Sequence, residues 1–488
     1  MCDVAMCDTC AKRKSVHFET TGCRLNQIES ESAARFFSEK SFEVSMGGVT
    51  AKSPVIENAV LCVVNTCAVT QKAEQKDRRI IRLLLEKCPN AAILVTGCYA
   101  ELSSKKIEEI DSRIASLRGL LKSRVEKIAN FLCEYLSKNT GTFNAFEFSR
   151  LLRDGICASP IKKEGFSENA FFLNTESFLS HSRPSLKIQD GCNNSCSYCA
   201  IRIARGHSVS LDAQSVIERV QSFEKAGHNE VVITSVNIAQ YRGAYNGGVV
   251  NITELLELLL SHTERIHIRL SSIYPEVVDA AFCNVIKNPR IRPHFHISVQ
   301  SGSDDVLCAM KRRYTARDVL DACIQLKRAR EQVFLACDII TGFPGESDED
   351  FEKTMALCES CGFSWVHVFP FSERQGTEAA TMKGKIPQSV RDERASRLSH
   401  WASKRKVAYI TSCIGKDFDA ILEKRKDGFH AVTENFLHCR IINADANFTD
   451  FKETKNLSPS DSVRVRIKDC LEENAQKGGE VDCIAEIL

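Results

Sequence analysis

The feature that most constrains the fold is a repeated alternation of short apolar runs with helical stretches, and it occurs in two blocks. Over residues 15 to 136, "VHFETTGC" is followed by "NQIESESAARFFSEK", "AVLCVVNTC" by "QKAEQKDRRIIRLLLEK", and "AAILVTGC" by further helices. Parallel strands need a long return connection, which a helix supplies, so this block predicts an open parallel α/β domain. From 186 to about 371 the pattern recurs six times. The strand candidates are "LKIQDG", "EVVITS", "RIHIRLSS", "HFHISVQ", "VFLACDIITG" and "WVHVFPF", with helical patterns such as "DAQSVIERVQSFEKA" and "ARDVLDACIQLKRAR" between them. Six units rather than eight predict a partial (β/α) barrel whose chemistry lies on the loops after the strands.

Cysteines mark those strand ends. Each of the three amino-terminal strands runs into one: Cys23, Cys67 and Cys98. In open α/β sheets the carboxyl ends of the strands form the ligand-binding edge. A single Thr-Gly-Cys reads as an ordinary turn, but three on one rim predict a site assembled from distant residues. Cys62, inside "VLCVV", is expected to pack in the core. Cys88, Cys133, Cys323 and Cys358 lie within helical patterns and are expected to be inert thiols.

The densest group is "KIQDGCNNSCSYCAI", where Cys192, Cys196 and Cys199 follow the first strand of the six-unit block. Zinc normally takes four ligands in two close pairs, and no second pair follows at finger-like spacing. A redox pair would use Cys196 and Cys199 and leave Cys192 unexplained. A [4Fe–4S] cluster held by three thiolates uses all three and leaves one iron open.

The rest of the chain is less specific. Residues 137 to 181 read as an irregular connector, and 182 to 410 as the barrel domain with its following basic helix. From 411 to 488, short strands broken by turns predict a small β-barrel. The net charge of +2 provides no global basic field for nucleic acid, so such binding needs local patches. Candidates are Lys311-Arg312-Arg313, the helical run Arg391, Arg394, Arg397, Lys404, Arg405 and Lys406, and the turn Lys424-Arg425-Lys426. The helical run reads equally as a solvated face. His294 and His296 share one strand face and read as structural. "GFPGE" lacks the Lys and Ser/Thr of a phosphate loop. Cys2, Cys7 and Cys10 precede the first strand and read as a tail. No apolar run reaches the length of about 18 residues needed to span a bilayer, and the start lacks a secretory pattern. The expectation is a cytoplasmic protein with no membrane association, its 23 cysteines reduced.

Taken with Tyr198 just before the last cysteine, the C-x3-C-x2-C loop resembles the signature of radical S-adenosylmethionine enzymes. "TTGCRLNQIES", "VVNTCAVT", "VTGCYAEL", "SVQSGSDDVL", "DIITGFPGE" and "HVFPFSERQGTEAA" resemble motifs of the methylthiotransferases within that group. "TGCRLNQ", "NTCAVT" and "FPFSERQGT" are most similar to the branch acting on N6-threonylcarbamoyladenosine of tRNA. Sister branches act on isopentenyladenosine of tRNA or on an aspartate of a ribosomal protein. The resemblance implies two [4Fe–4S] clusters, one on Cys192, Cys196 and Cys199, with Tyr198 beside S-adenosyl-L-methionine, and an auxiliary one on Cys23, Cys67 and Cys98. It implies a 5′-deoxyadenosyl radical that takes hydrogen from C2 of the adenine at tRNA position 37, followed by methylthio transfer from the auxiliary cluster. It also implies a TRAM-like RNA-binding carboxyl-terminal barrel, tRNA as partner, and an electron donor of flavodoxin or ferredoxin type. Two positions depart from the pattern. Arg202 stands where proline is frequent, and "ITSVNIAQ" lacks a usual glycine. A non-catalytic RNA-binding iron–sulfur sensor is the distant alternative.

Overall fold

The computed structural model describes residues 14–139, 143–158, 160, 167, 169–174, 183–425, 428–442, 458, 460–476 and 481–488. Cys2, Cys7, Cys10 and Lys426 lie outside them. The chain divides into two compact units. The first holds the described residues up to 174 together with Asp190–Val209 and Glu373–Ala380. The second holds the strand residues up to Gln189, Ser210–Ser372 and Thr381–Leu488.

In the first unit five parallel strands, β1 (Ser15–Thr20), β2 (Glu43–Met46), β3 (Ala59–Thr66), β4 (Ala92–Gly97) and β5 (Ile114–Ser116), lie in the order β2-β1-β3-β4-β5. β3 and β4 are buried at every residue, as strands covered on both faces must be. Helices α1 (Arg24–Ser38), α2 (Gln71–Lys87) and α3 (Cys98–Glu108) each follow one of the three cysteine-bearing strand ends, and α4 (Val125–Lys138) follows β5. The Thr70 side chain caps α2 by accepting from the Ala73 amide. The edge strands β2 and β5, of four and three residues, are too short to show a pattern in sequence.

The connector is not wholly irregular. Helix α5 (Ala145–Leu152) starts at Asn144, whose side chain accepts from the Glu147 amide, and buries Ala145, Phe148 and Leu152. Phe148 stacks on Phe131 of α4, ring centroids 5.5 Å apart. Eight residues do not hold a helix in isolation, so this one depends on its packing. The short helix α6 (Ile201–Arg205) also belongs to the first unit.

In the second unit all six anticipated barrel strands are present: β6 (Ser185–Asp190), β7 (Glu230–Ser235), β8 (His267–Leu270), β9 (His294–Gln300), β10 (Phe334–Thr341) and β11 (Trp365–Pro370). β6-β7-β8 and β9-β10-β11 are parallel sets, linked by bridges Ile268 to Ile291 and Ile273 to Ile297, which makes an open, partial barrel. Its helices include α7 (Ala213–Lys225), α8 (Ile252–His262), α9 (Ala280–Val285), α10 (Ala316–Ala329) and α11 (Asp348–Cys361). Capping boxes start three of them, with Asn251 and Glu254, Thr315 and Asp318, and Ser347 and Asp350.

The long helix α12 (Gln388–Cys413) leads to strands β12 (Asp417–Arg425), β13 (Gly428–Thr433), β14 (His438–Ile442), β15 (Ser462–Cys470) and β16 (Cys483–Ile487), which close a barrel in the order β12-β13-β14-β16-β15. The turn after β13 seats this barrel on the partial one. Phe436 lies against His294, ring centroids 4.1 Å apart, and under the Arg269 guanidinium at 5.1 Å. Arg269 donates to the carbonyls of Thr433 and Glu434, both at 3.1 Å. Beneath it, buried Glu230 pairs with Arg269 and Arg292 at 2.8 Å and with Arg183 at 3.5 Å.

Candidate metal and cofactor site

The three strand-end turns of the first unit are packed against one another. Gly22 has φ +88°, and a Cβ there would stand 2.7 Å from the Cys67 sulfur. Gly97, φ +96°, would bring a Cβ to 2.4 Å from the Thr66 carbonyl oxygen. Both positions therefore combine a backbone that disfavours a side chain with no room for one. Cys23 occupies the N-cap of α1, Cys67 follows β3 directly, and Cys98 opens α3.

The turns are cross-wired. The Asp77 carboxylate accepts from the Cys67 amide at 3.0 Å and from the Thr21 hydroxyl at 2.6 Å. Asn26 donates to the Thr21 and Thr66 carbonyls at 2.9 and 3.0 Å. Cys67 and Cys98 are buried, Cys23 is exposed, and the thiols lie close enough to feel each other's charge. Burial pushes Cys67 up to about 12, and the neighbouring thiols add to it. Burial also raises Cys98, opposed by the Arg205 charge.

The C-x3-C-x2-C loop belongs to this same unit. Its base is closed by the Cys192 amide donating to the Gly206 carbonyl at 3.0 Å. Gly191, φ +70°, crosses so near that a Cβ would fall 2.0 Å from the His207 carbonyl oxygen. Asn193 accepts from the Ser208 amide at 3.0 Å, and the Ala379 amide donates to the Ser197 carbonyl at 2.7 Å. Cys192 is buried, and Cys196, Tyr198 and Cys199 are half-buried. Sequence reasoning singled out the six cysteines as candidates but missed the charges behind them. Arg205, Glu29, Asp190 and Lys122 form a buried cluster beneath the loop. The signal available was a row of polar residues, Asn26, Glu29, Ser30 and Ser32, on a helix that buries them all.

Three soft thiols without a fourth suit an iron–sulfur cluster better than a closed zinc site. Among the described residues no three His, Cys, Asp or Glu side chains converge as tightly as one ion demands. Ligands of a four-iron cube each bind a different iron and so stand further apart.

Other candidates fall elsewhere. Cys62 is fully buried and hydrogen-bonds Cys88, as core thiols do. His294 packs on Phe334 and Phe436, while His296 bonds Ser272 at 2.8 Å and Asp338 at 3.2 Å. Most of the basic run on α12 is engaged within the second unit. Arg391 donates to the Phe371 carbonyl, Arg394 pairs with Glu346 and Asp348, Arg397 with Glu352, Arg405 with Glu359, and Lys406 with Asp482. Arg312 is stacked on Tyr274 and Tyr314, 5.0 and 5.1 Å from the ring centroids. Gly342 and Gly345 of "GFPGE" both have positive φ, and Glu346 accepts from the Gly342 amide. No described helix is long and apolar enough to cross a membrane.

A six-strand partial barrel whose first strand is followed in the chain by a C-x3-C-x2-C loop is the pattern of a radical S-adenosylmethionine enzyme. Residues 186–358 match the profile described as the radical SAM superfamily, and residues 15–119 that of an uncharacterized protein family, UPF0004. A solved radical S-adenosylmethionine methyltransferase from Kitasatospora setae shares the fold, with TM-score 0.50 and 14% identity over 75% of this chain and 74% of that one. The threonylcarbamoyladenosine tRNA methylthiotransferase of Treponema pallidum is 42% identical over 88% of this chain and 94% of its own length. Its Thermotoga maritima counterpart is 34% identical over 84% and 87%. The tRNA-2-methylthio-N(6)-dimethylallyladenosine synthase of Neorickettsia sennetsu is 26% identical over 90% and 89%. The chain belongs to the radical S-adenosylmethionine methylthiotransferase family, in its threonylcarbamoyladenosine branch, and is a transferase.

Proposed function

We propose that this enzyme methylthiolates C2 of N6-threonylcarbamoyladenosine beside the anticodon of tRNA. The observation that carries the reading is the packing of two separate three-cysteine sets into one compact unit of a chain with these relatives. Cys192, Cys196 and Cys199 would hold one [4Fe–4S] cluster and, with Tyr198 beside them, S-adenosyl-L-methionine. Cys23, Cys67 and Cys98 would hold a second. Bound there, these groups would supply the reductive cleavage of S-adenosyl-L-methionine that makes hydrogen-atom removal from an unactivated carbon possible, and a sulfur to replace that hydrogen.

The chain's own part is to bind, orient and exclude water. Each thiol must release its proton when iron loads, and burial keeps Cys67 protonated until then. Gly22 and Gly97 let the three turns close together, and Gly191 lets the second loop fold over its own base. The closed carboxyl-terminal barrel, with Lys424 and Arg425 at the end of β12, is the proposed RNA contact. An acceptor site for electrons from a flavodoxin- or ferredoxin-type donor completes the reading.

Mass spectrometry of tRNA nucleosides from cells with and without the gene tests it. The 2-methylthio derivative of N6-threonylcarbamoyladenosine should vanish on deletion and return with the gene but not with a Cys192→Ala version. An unaffected level would overturn the substrate, and loss of the isopentenyl derivative instead would reassign it to the sister branch.

A further inference from the structure

Asp190 stands two residues before Cys192 and Arg205 six residues after Cys199, and their side chains meet across the base of the loop. Arg205 Nη1 donates to the two Asp190 oxygens at 3.0 and 3.2 Å and to Glu29 Oε1 at 3.1 Å. Its Nη2 donates to Asn26 Oδ1 at 2.6 Å and reaches Glu29 Oε2 at 3.4 Å. Lys122 bonds Glu29 and lies 3.7 Å from Asp190 Oδ2. Arg205 is 4% exposed, and Glu29 and Asp190 are each 1%. Two cations thus face two carboxylates away from water.

Asn26 makes this cluster more than a local brace. Its other end holds the carbonyls of Thr21 and Thr66, two residues before Cys23 and one before Cys67. One guanidinium therefore connects, through one amide, the turns that carry Cys23 and Cys67 to the loop that carries Cys192, Cys196 and Cys199. Arg205 also lies near enough to the thiols of Cys23 and Cys98 to interact with their charge. Burying four charges contributes little net stability over apolar packing, but it admits essentially one geometry.

We propose that Arg205 is a positioning residue that couples the two cysteine sets. Its planar fork holds the C-x3-C-x2-C loop against the helix that follows Cys23, and its buried charge sets the electrostatic environment of the amino-terminal set. This rests on the assignment of the two sets to two clusters made above.

The test uses the full chain reconstituted with iron and sulfide, as Arg205→Gln, Arg205→Lys and Glu29→Gln. Iron content, the ratio of 5′-deoxyadenosine to methylthiolated nucleoside, and the reduction potential of the amino-terminal cluster are read. The potential is taken in a Cys192→Ala, Cys196→Ala, Cys199→Ala background, where one cluster remains. Arg205→Gln should lower that potential and raise the ratio by roughly tenfold, the scale of losses from removing a group behind a metal ligand. Arg205→Lys should restore the potential but not the ratio, because a point charge cannot hold three acceptors in a plane. Glu29→Gln should move the potential the opposite way to Arg205→Gln.

A wild-type potential and ratio in Arg205→Gln overturn the proposal, and so does a complete rescue of the ratio by lysine. If Arg205→Gln fails to load iron, the lysine and Glu29 variants decide by the same readouts. A wild-type chain that holds one cluster's iron overturns the two-cluster assignment instead, and is seen before any variant is compared.

Discussion

A Cβ on Gly22 would lie 2.7 Å from the sulfur of Cys67, well inside the distance at which unbonded atoms repel. Two of the three cysteine turns are therefore in contact at a point where only glycine fits. Gly22→Ala should displace Cys67 and add about 1–2 kcal/mol of strain from the positive φ. The expected outcome is loss of roughly half the iron after reconstitution, with S-adenosylmethionine cleavage retained. Full iron content in Gly22→Ala would show that this contact does not shape the site.

The two cysteine sets should separate by function. Cys196→Ala is expected to abolish 5′-deoxyadenosine formation while leaving one cluster in place. Cys67→Ala should keep cofactor cleavage and lose sulfur insertion. Chromatography of the nucleosides with iron analysis reads both, and methylthiolation retained by Cys67→Ala contradicts the assignment of the amino-terminal set.

Glu230 links the strands of the partial barrel to the small one. Burial raises its carboxyl, but Arg269, Arg292 and Arg183 outweigh that and hold it well below the usual range. A depressed carboxyl contributes its stability fully above its unfolded value of about 4.3 and loses it as pH falls from there through the folded value. Glu230→Gln leaves buried guanidinium groups without their carboxylate and should cost about 3–5 kcal/mol at neutral pH. Urea unfolding at pH 7 and across the acid range measures it. The gap between wild type and variant should be constant down to about pH 4.3 and shrink below it.

Phe436 is the apolar contact of the same junction. Phe436→Ala removes the stacking on His294 and the guanidinium contact of Arg269, and should lower the unfolding free energy by on the order of 2 kcal/mol. An unchanged urea midpoint would mean that the backbone bonds of Arg269 to Thr433 and Glu434 carry the junction alone.

The six barrel strands, the cysteine-ended strands and the small closed barrel were legible because each depends on local pattern. An apolar run of six to eight residues next to a helical period identifies a buried parallel strand wherever it lies. The six cysteines stood out as candidates through their spacing and their positions at strand ends. Helix α5 was not legible, since its eight residues owe their helicity to Phe131 and the sheet they pack on.

The sequence by itself determined which residues form strands and helices and which cysteines lie at their ends, because periodicity and spacing are properties of neighbours along the chain. Only the tertiary structure decided that Arg205 meets Asp190, Glu29 and Asn26, and that the basic run of α12 is largely spent on internal pairs. A charge on a helix looks the same in sequence whether it faces water or a buried carboxylate more than a hundred residues away. What distinguishes the two is desolvation, and that exists only once the chain has folded.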